Sequence, residues 1–242
     1  MSAEVRPAFY ALGRGGWRDY VTLLHPPYTL WHLSYVVIGA ALAPTWQPGR
    51  LGATLAAFFL AVGIGAHALD ELNERPLSTE IPGRVLRGLA AVSIAAAIGI
   101  GIGGAVAYDL WLLAFVAVGA FVVCAYNLEL LGGRLHSDAW FALDWGAFPL
   151  LTAYFACAGR LRWEAVLAAA FAALSSYAQR RLSSPVRRLR RGVAAVSGEL
   201  TLKDGTREPI THETLIAGNE AALRALTLAV IALAVALVLL RV

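Results

Sequence analysis

Hydrophobic positions in this chain come in long unbroken runs, not in alternating pairs. Seven segments stand out: Val21–Ala43, Leu51–Leu69, Val85–Ala107, Leu110–Tyr126, Ala139–Ala158, Trp163–Tyr177 and Ala221–Leu240. A helix needs ~20 apolar residues to cross the hydrocarbon of a bilayer. Lipid leaves only helices and closed barrels as spanning structures, and barrel strands alternate. The pattern predicts an all-α polytopic transmembrane bundle of about seven helices, one membrane domain over residues 1–242. Residues 1–20 read as a polar cytoplasmic or interfacial segment, and 178–219 as a basic cytoplasmic loop. In that loop Asp204-Gly205, between short alternating runs, signals a β-hairpin. Thr211 reads as the N-cap of the last helix, with Glu213 in its first turn.

Composition sharpens the class. Hydrophobic residues make up 59% and charged residues 15%, where a soluble domain carries about 25% charged. Mean hydropathy is +0.64. Disordered, collagen-like and disulfide-scaffold classes are excluded. Cys124 and Cys157 lie in apolar runs without metal-site spacing and read as buried thiols.

A net charge of +4 would suit nucleic acid, but the placement of the arginines explains it better. With the N-terminus inside, 16 of the 20 basic residues fall on the cytoplasmic side, leaving Arg50, Arg160, Arg162 and Arg241 outside. That split predicts a multi-pass cell-membrane protein with a cytoplasmic N-terminus, an external C-terminus and no nucleic-acid partner. Trp46, Trp111 and Trp163 then sit at the outer interface.

Polar residues inside the apolar pattern carry the candidate chemistry. His67, Asp70 and Glu74 are spaced three and four apart, which stacks them on one helix face. Such a set either holds a divalent cation, Mg²⁺ by its oxygens, or is a solvated helix end. Asp144 lies within the fifth segment, where an ionisable side chain is a functional candidate or a structural pair. Gly99, Gly101 and Gly104 match G-x-G-x-x-G, but inside an apolar helix small residues serve close packing. A retinal-type Schiff base needs a lysine in the last helix, and the only lysine is Lys203. His25 and His32 read as interfacial or packing residues.

The stretch His67-Ala-Leu-Asp70-Glu71-Leu-Asn73-Glu74-Arg75-Pro76 resembles the first aspartate-rich motif of the UbiA family of intramembrane prenyltransferases, N-D-x-x-D-x-x-x-D. Asp70 is the identical position; His67 and Glu74 occupy the flanking aspartate positions. Leu24-His25-Pro26-Pro27-Tyr28-Thr29 resembles the start of the family's first helix. Tyr126-Asn127-Leu128 through Arg134, then Trp145-Gly146-Ala147-Phe148-Pro149, resembles its passage from the fourth helix to the fifth. The similarity runs from about Trp17 to Tyr177. The family's second motif, D-x-x-x-D, is absent: Ser175 to Leu182 stands in its place, and no carboxylate occurs between Glu164 and Glu199. The family usually has nine helices.

The resemblance implies a UbiA-like bundle transferring an isoprenyl group from an isoprenyl diphosphate to a small-molecule acceptor at the cytoplasmic face. It implies catalytic roles for Asp70 and Glu74, with Mg²⁺ on His67, Asp70 and Glu74; Asp144 joins them as a catalytic candidate because it is an ionisable residue inside an apolar segment. Arg75, Arg134, Arg180, Arg181 and Tyr126 would hold the diphosphate, since guanidinium binds phosphate directly and bidentately. The arginines after the sixth segment equally suit a plain positive-inside signal or attraction to anionic membrane lipid. The alternative is a non-catalytic UbiA-like protein that binds a prenyl lipid or a partner protein.

Overall fold

Prolines and polar caps decide where the helices begin. The structure is a computed structural model and describes residues 6–73 and 75–242. Helix α1 spans Trp17–Leu23. The chain then turns at His25, in the left-handed region with φ 45°, and α2 runs Pro26–Leu42. Two prolines open α2, where a missing N–H is no loss. The expected single segment Val21–Ala43 is thus two helices broken at His25.

Helix α3, Pro48–Leu72, also opens on proline and widens to π-helical geometry over Phe59–Ala66. Helices α4, Gly83–Ala107, and α5, Leu112–Asn127, follow. An irregular turn at Leu130–Gly133 leads into α6, Asp138–Ala158. The Ser137 hydroxyl caps α6 by accepting from the Trp140 N–H, and Leu143–Ala147 forms its own π stretch.

Helix α7 spans Trp163–Gly192, which corrects the expected loop beginning at residue 178. Ser176, Gln179, Ser183 and Val186 are buried on it at steps of three and four. That spacing is one helical face, and its packing carries the helix through Pro185. Strands β1, Glu199–Thr201, and β2, Arg207–Pro209, then form the expected hairpin around Asp204-Gly205. Helix α8, His212–Leu239, starts well before the expected Ala221. Thr211 is its N-cap, in a reciprocal pair with Thr214.

The regular elements among the described residues are therefore all helices apart from one hairpin. Four helices, α3, α4, α6 and α8, are long and apolar enough to cross a membrane. Helix α5 is apolar but shorter.

Helix α2 is the hub. Its Trp31, Tyr35 and Ile38 share a core with Leu150 of α6, Ala169 and Ala172 of α7, and Val230 and Ala234 of α8. The helices approach closely because glycine stands at the crossings. A Cβ on Gly39 would lie 2.2 Å from the Leu150 carbonyl oxygen, and one on Gly146 2.6 Å from that of Ala172. At the far end Arg241 donates to the carbonyls of Ala41 (2.7 Å) and Ala43 (2.8 Å), tying α8 to α2.

Gly39→Ala forces the α2–α6 backbones apart. Overpacking of this kind costs about 1–3 kcal/mol. A thermal unfolding scan in detergent is expected to show a lowered midpoint, while Gly99→Ala, whose Cβ would meet nothing within 4 Å, leaves it unchanged.

Candidate functional site

The site begins at the end of α3, where two neighbouring acids face opposite ways. Glu71 is fully buried and accepts from the Leu77 N–H (2.9 Å), the Thr79 N–H (2.8 Å) and the Thr79 hydroxyl (2.8 Å). A buried carboxylate is tolerable only with such partners. Arg75 stiffens the same loop by donating to the carbonyls of Thr79 (3.2 Å) and Ile81 (2.6 Å). Asp19 reaches across to accept from the Glu80 N–H (2.8 Å). With Glu71 committed to the loop, His67 and Asp70 are left facing the bundle interior.

There they line a polar cavity of ≈ 250 Å³. Its opposite wall is α7, with Gln179, Arg180, Ser183, Arg187 and Arg191. Tyr126 and His136 close one side, and Tyr10, His25 and His32 another. Asp70 is the one carboxylate among the described lining residues, against three arginines. Arg180 is held by Asp138 (3.3 Å), by His136 Nε2 (3.3 Å) and against the Phe141 ring (5.3 Å). Arg187 donates to the hydroxyls of Ser183 and Ser184, both at 3.1 Å. Burial first, then Arg180 and Arg191, push the Arg187 guanidinium down to about 10, so it is still charged at neutral pH. Three buried side-chain atoms have no partner among the described residues: His25 Nε2, Tyr126 Oη and Gln179 Oε1. All three residues line this cavity.

A second cavity of ≈ 130 Å³ lies between α3, α4, α5 and α6. Its lining is apolar, with Phe58, Ile98, Phe115 and Phe148, and Gly101 and Gly104 thin its wall. Val62 and Trp145 line both cavities, so polar and apolar spaces adjoin. Asp144 enters the apolar one beside Trp145. At the far end Arg50 lies over the Tyr108 ring (4.2 Å) and donates to the Ala156 carbonyl (3.0 Å).

Among the expected site residues, His67, Asp70, Tyr126 and Arg180 come together on the polar cavity. Asp144 stands in the adjoining one. Glu74 lies outside the described residues. Arg75 serves the loop, Arg134 is exposed, and Arg181 is exposed and paired with Asp138 (3.4 Å); none of these three lines the cavity. His25 and His32, expected to be packing residues, do line it. Tyr10, His136, Arg187 and Arg191 escaped the sequence reading as members of a site. Arg180, Arg187 and Arg191 are seven and four apart, one face of a helix, but that face is invisible while the stretch is read as a loop.

Among the described residues the donors do not assemble a metal site, Glu74 lying outside them. No group of three or more His, Cys, Asp or Glu among the described residues could hold a metal ion. The His67 imidazole is engaged through Nδ1 with the Gly63 carbonyl (3.1 Å) and stacks on His25 at 4.2 Å. The arrangement suits an anion gripped directly by guanidinium groups and hydrogen-bond donors. No family model matches the chain, and no curated protein or solved structure is detectably similar to it.

Removing one of the clustered charges relieves their mutual repulsion and its desolvation. Arg187→Gln is expected to raise the unfolding midpoint of the ligand-free protein, by about 2–4 °C for each kcal/mol relieved. The same variant is expected to lose most of the stabilisation that wild type gains from millimolar pyrophosphate. Both are read in one set of thermal scans.

Proposed function

We propose that this chain is a UbiA-like membrane prenyltransferase, taking an isoprenyl diphosphate and a small-molecule acceptor. The carrying observation is the junction at Val62 and Trp145, where a cavity rich in arginine meets an apolar one. An isoprenyl diphosphate has that same division, an anionic head on an apolar chain. Seven crossings by α2 to α8 in the cell membrane, N-terminus cytoplasmic and C-terminus outside, put the arginine cavity at the cytoplasmic surface and Arg50 at the outer one. Lipid would meet the apolar faces of the bundle.

In this reading Arg180, Arg187 and Arg191 hold the diphosphate, with Tyr126 donating to it. The allylic C–O bond breaks and its electron pair leaves on the diphosphate oxygen. Fixed positive charge in a water-poor cavity favours that departure, which is the main catalytic effect such a site supplies. The acceptor's nucleophile then bonds to the cationic carbon and releases a proton. Asp144, at the boundary, is placed to take that proton or to steady the cation. Mg²⁺ would have to arrive with the diphosphate and take Asp70, with Glu74 as the second expected ligand; a Mg²⁺ so bound would neutralise phosphate charge.

A second reading is favoured by one observation: carboxylate is scarce, with Asp70 alone on the described cavity wall and none between Glu164 and Glu199. A protein with this head-and-tail site and no metal clamp binds a prenyl lipid, or a partner protein, without turning it over.

Binding of geranylgeranyl diphosphate to the purified protein, with and without Mg²⁺, tests the proposal. Wild type is expected to bind, and Arg180→Ala to weaken binding about tenfold or more, as for loss of a charge-assisted hydrogen bond. Asp70→Ala is expected to abolish any Mg²⁺ enhancement while sparing Mg²⁺-free binding. Release of pyrophosphate with an aromatic acceptor present identifies the enzyme, and tight binding without release the non-catalytic relative. Absence of binding under every condition rejects the prenyltransferase and the prenyl-lipid binder.

A further inference from the structure

Four histidines line the polar cavity, and their hydrogen bonds sort them into two kinds. Nδ1 of His32 lies 2.7 Å from the Trp145 carbonyl oxygen, that of His67 3.1 Å from Gly63 and that of His136 3.2 Å from Tyr126. A carbonyl only accepts, so in each of these rings Nδ1 carries the hydrogen. Their Nε2 atoms are bare acceptors, and Arg180 uses the one on His136.

His25 is the reverse case. Its Nδ1 lies 2.5 Å from the Tyr10 hydroxyl. A phenol keeps its proton at neutral pH, and His25 Nδ1 is the one acceptor the Tyr10 hydroxyl meets among the described residues, so the hydroxyl donates to it. Nδ1 then accepts, and the imidazole hydrogen sits on Nε2. That Nε2 has no partner among the described residues, and the ring is 8% exposed. It is a buried donor on a wall shared with Arg180, Arg187 and Arg191. An unpaired donor beside clustered cations calls for an anionic oxygen.

Tyr10 belongs to a strap, Arg6–Leu12, that precedes the helices and folds over the cavity mouth. Pro7, Ala8, Phe9 and Tyr10 line the cavity. The strap's carbonyls are gripped by α7: Arg190 donates to Arg6 (3.2 Å) and Arg191 to Pro7 (3.3 Å). Arg224 of α8 lies over the Phe9 ring at 4.9 Å, and the Leu12 N–H donates to Thr22 Oγ1 at 3.0 Å.

We propose that this strap is a working part of the phosphate site: Tyr10 fixes His25 as the Nε2–H tautomer, and His25 donates that hydrogen to a phosphate oxygen of the ligand. The inference rests on reading the cavity as a phosphate site. His25 is then a binding residue and Tyr10 a positioning residue. The same chemistry serves free pyrophosphate and a lipid-linked diphosphate, so both are used as probes.

The test uses the full chain in nanodiscs with ¹⁵N-labelled histidine. The ¹⁵N shifts of His25 are expected to report Nε2–H before any ligand is added. Pyrophosphate is expected to move the His25 Nε2 resonance and to leave His212, which bonds the Val193 carbonyl outside the cavity. Tyr10→Phe is expected to mix the tautomers and weaken pyrophosphate about tenfold or more, the loss of one hydrogen bond to a charged group. His25→Leu is expected to do the same, while His25→Gln, which keeps an N–H near the Nε2 position, retains most of the affinity. A response to geranylgeranyl diphosphate alone, with the His25 shift, supports the same bond and makes the source lipid-linked. If Tyr10→Phe changes neither tautomer nor affinity while Arg187→Gln abolishes binding, the phosphate site stands and the strap has no part in it. If neither probe binds wild type, the phosphate reading falls and this inference with it.

Discussion

The site depends on where two helices widen. Helix α3 carries π geometry over Phe59–Ala66, and α6 over Leu143–Ala147. A wide turn adds a residue to the helical repeat and rotates everything beyond it, and such turns gather at functional sites. Val62 and Trp145, the residues shared by the two cavities, lie one in each widened stretch. They pack in one cluster with Ala66, Val123 and Tyr126. The rotation in α3 sets which side His67, Asp70 and Glu71 face. The rotation in α6 brings Asp144 to the apolar cavity and leaves Gly146 on α7. Without these two turns, the polar and apolar spaces would have no common wall.

Charge on the polar cavity is arranged against folding. Arg190 finds Glu220 at 2.7 Å and is thereby satisfied. Arg187 finds two hydroxyls and two further guanidinium groups on its cavity, and its charged form is disfavoured by burial first and by those guanidinium groups second. The opposing carboxyl, Asp70, is outnumbered. A bundle selected for stability alone would not gather three arginines, two of them partly buried, around one aspartate; buried charge is tolerated when paired. The mismatch is the size of a doubly charged anion, and it is offset elsewhere by well-satisfied groups such as Glu71 and the Arg241 cap on α2.

Much of the fold was legible, because lipid demands continuous apolar runs and these cannot be disguised. The hairpin at Asp204-Gly205 and the Thr211 cap were legible too, each from local chemistry. The break at His25 was not, since apolar residues continue through it and only the left-handed backbone marks it. Within 178–219 the hairpin and its flanks are loop as expected, but 178–192 and 212–219 are helical, because charge density is no bar to a helix. Arginine is a good helix former, and Ser176, Gln179, Ser183 and Val186 supply a buried face without being apolar. Reading 178–192 as loop also hid which arginines matter. Arg181 and Arg180 are adjacent in sequence, yet a 100° step around the helix sends one to solvent and one to the cavity. Tyr10 was illegible in principle, because its partner His25 is brought to it by tertiary folding alone.

On the proposed reading the two cavities make opposite demands on one ligand, and that narrows what the junction can do. The arginine side favours charge that is already present; the apolar side favours a chain that carries none. A bond spanning Val62 and Trp145 would have one atom in each environment. Heterolysis of that bond leaves the electron pair on the arginine side, where it is welcomed, and a cation on the apolar side, where it is not. Asp144 is the one carboxylate among the described residues on the apolar side able to answer that cation, and Trp145 and Phe148 line the same cavity. A binder alone would gain nothing from an ionisable group there, because its desolvation costs and the chain offers it no partner. The position of Asp144 is therefore the structural argument that leans toward turnover, against the scarcity of carboxylates, which leans toward binding.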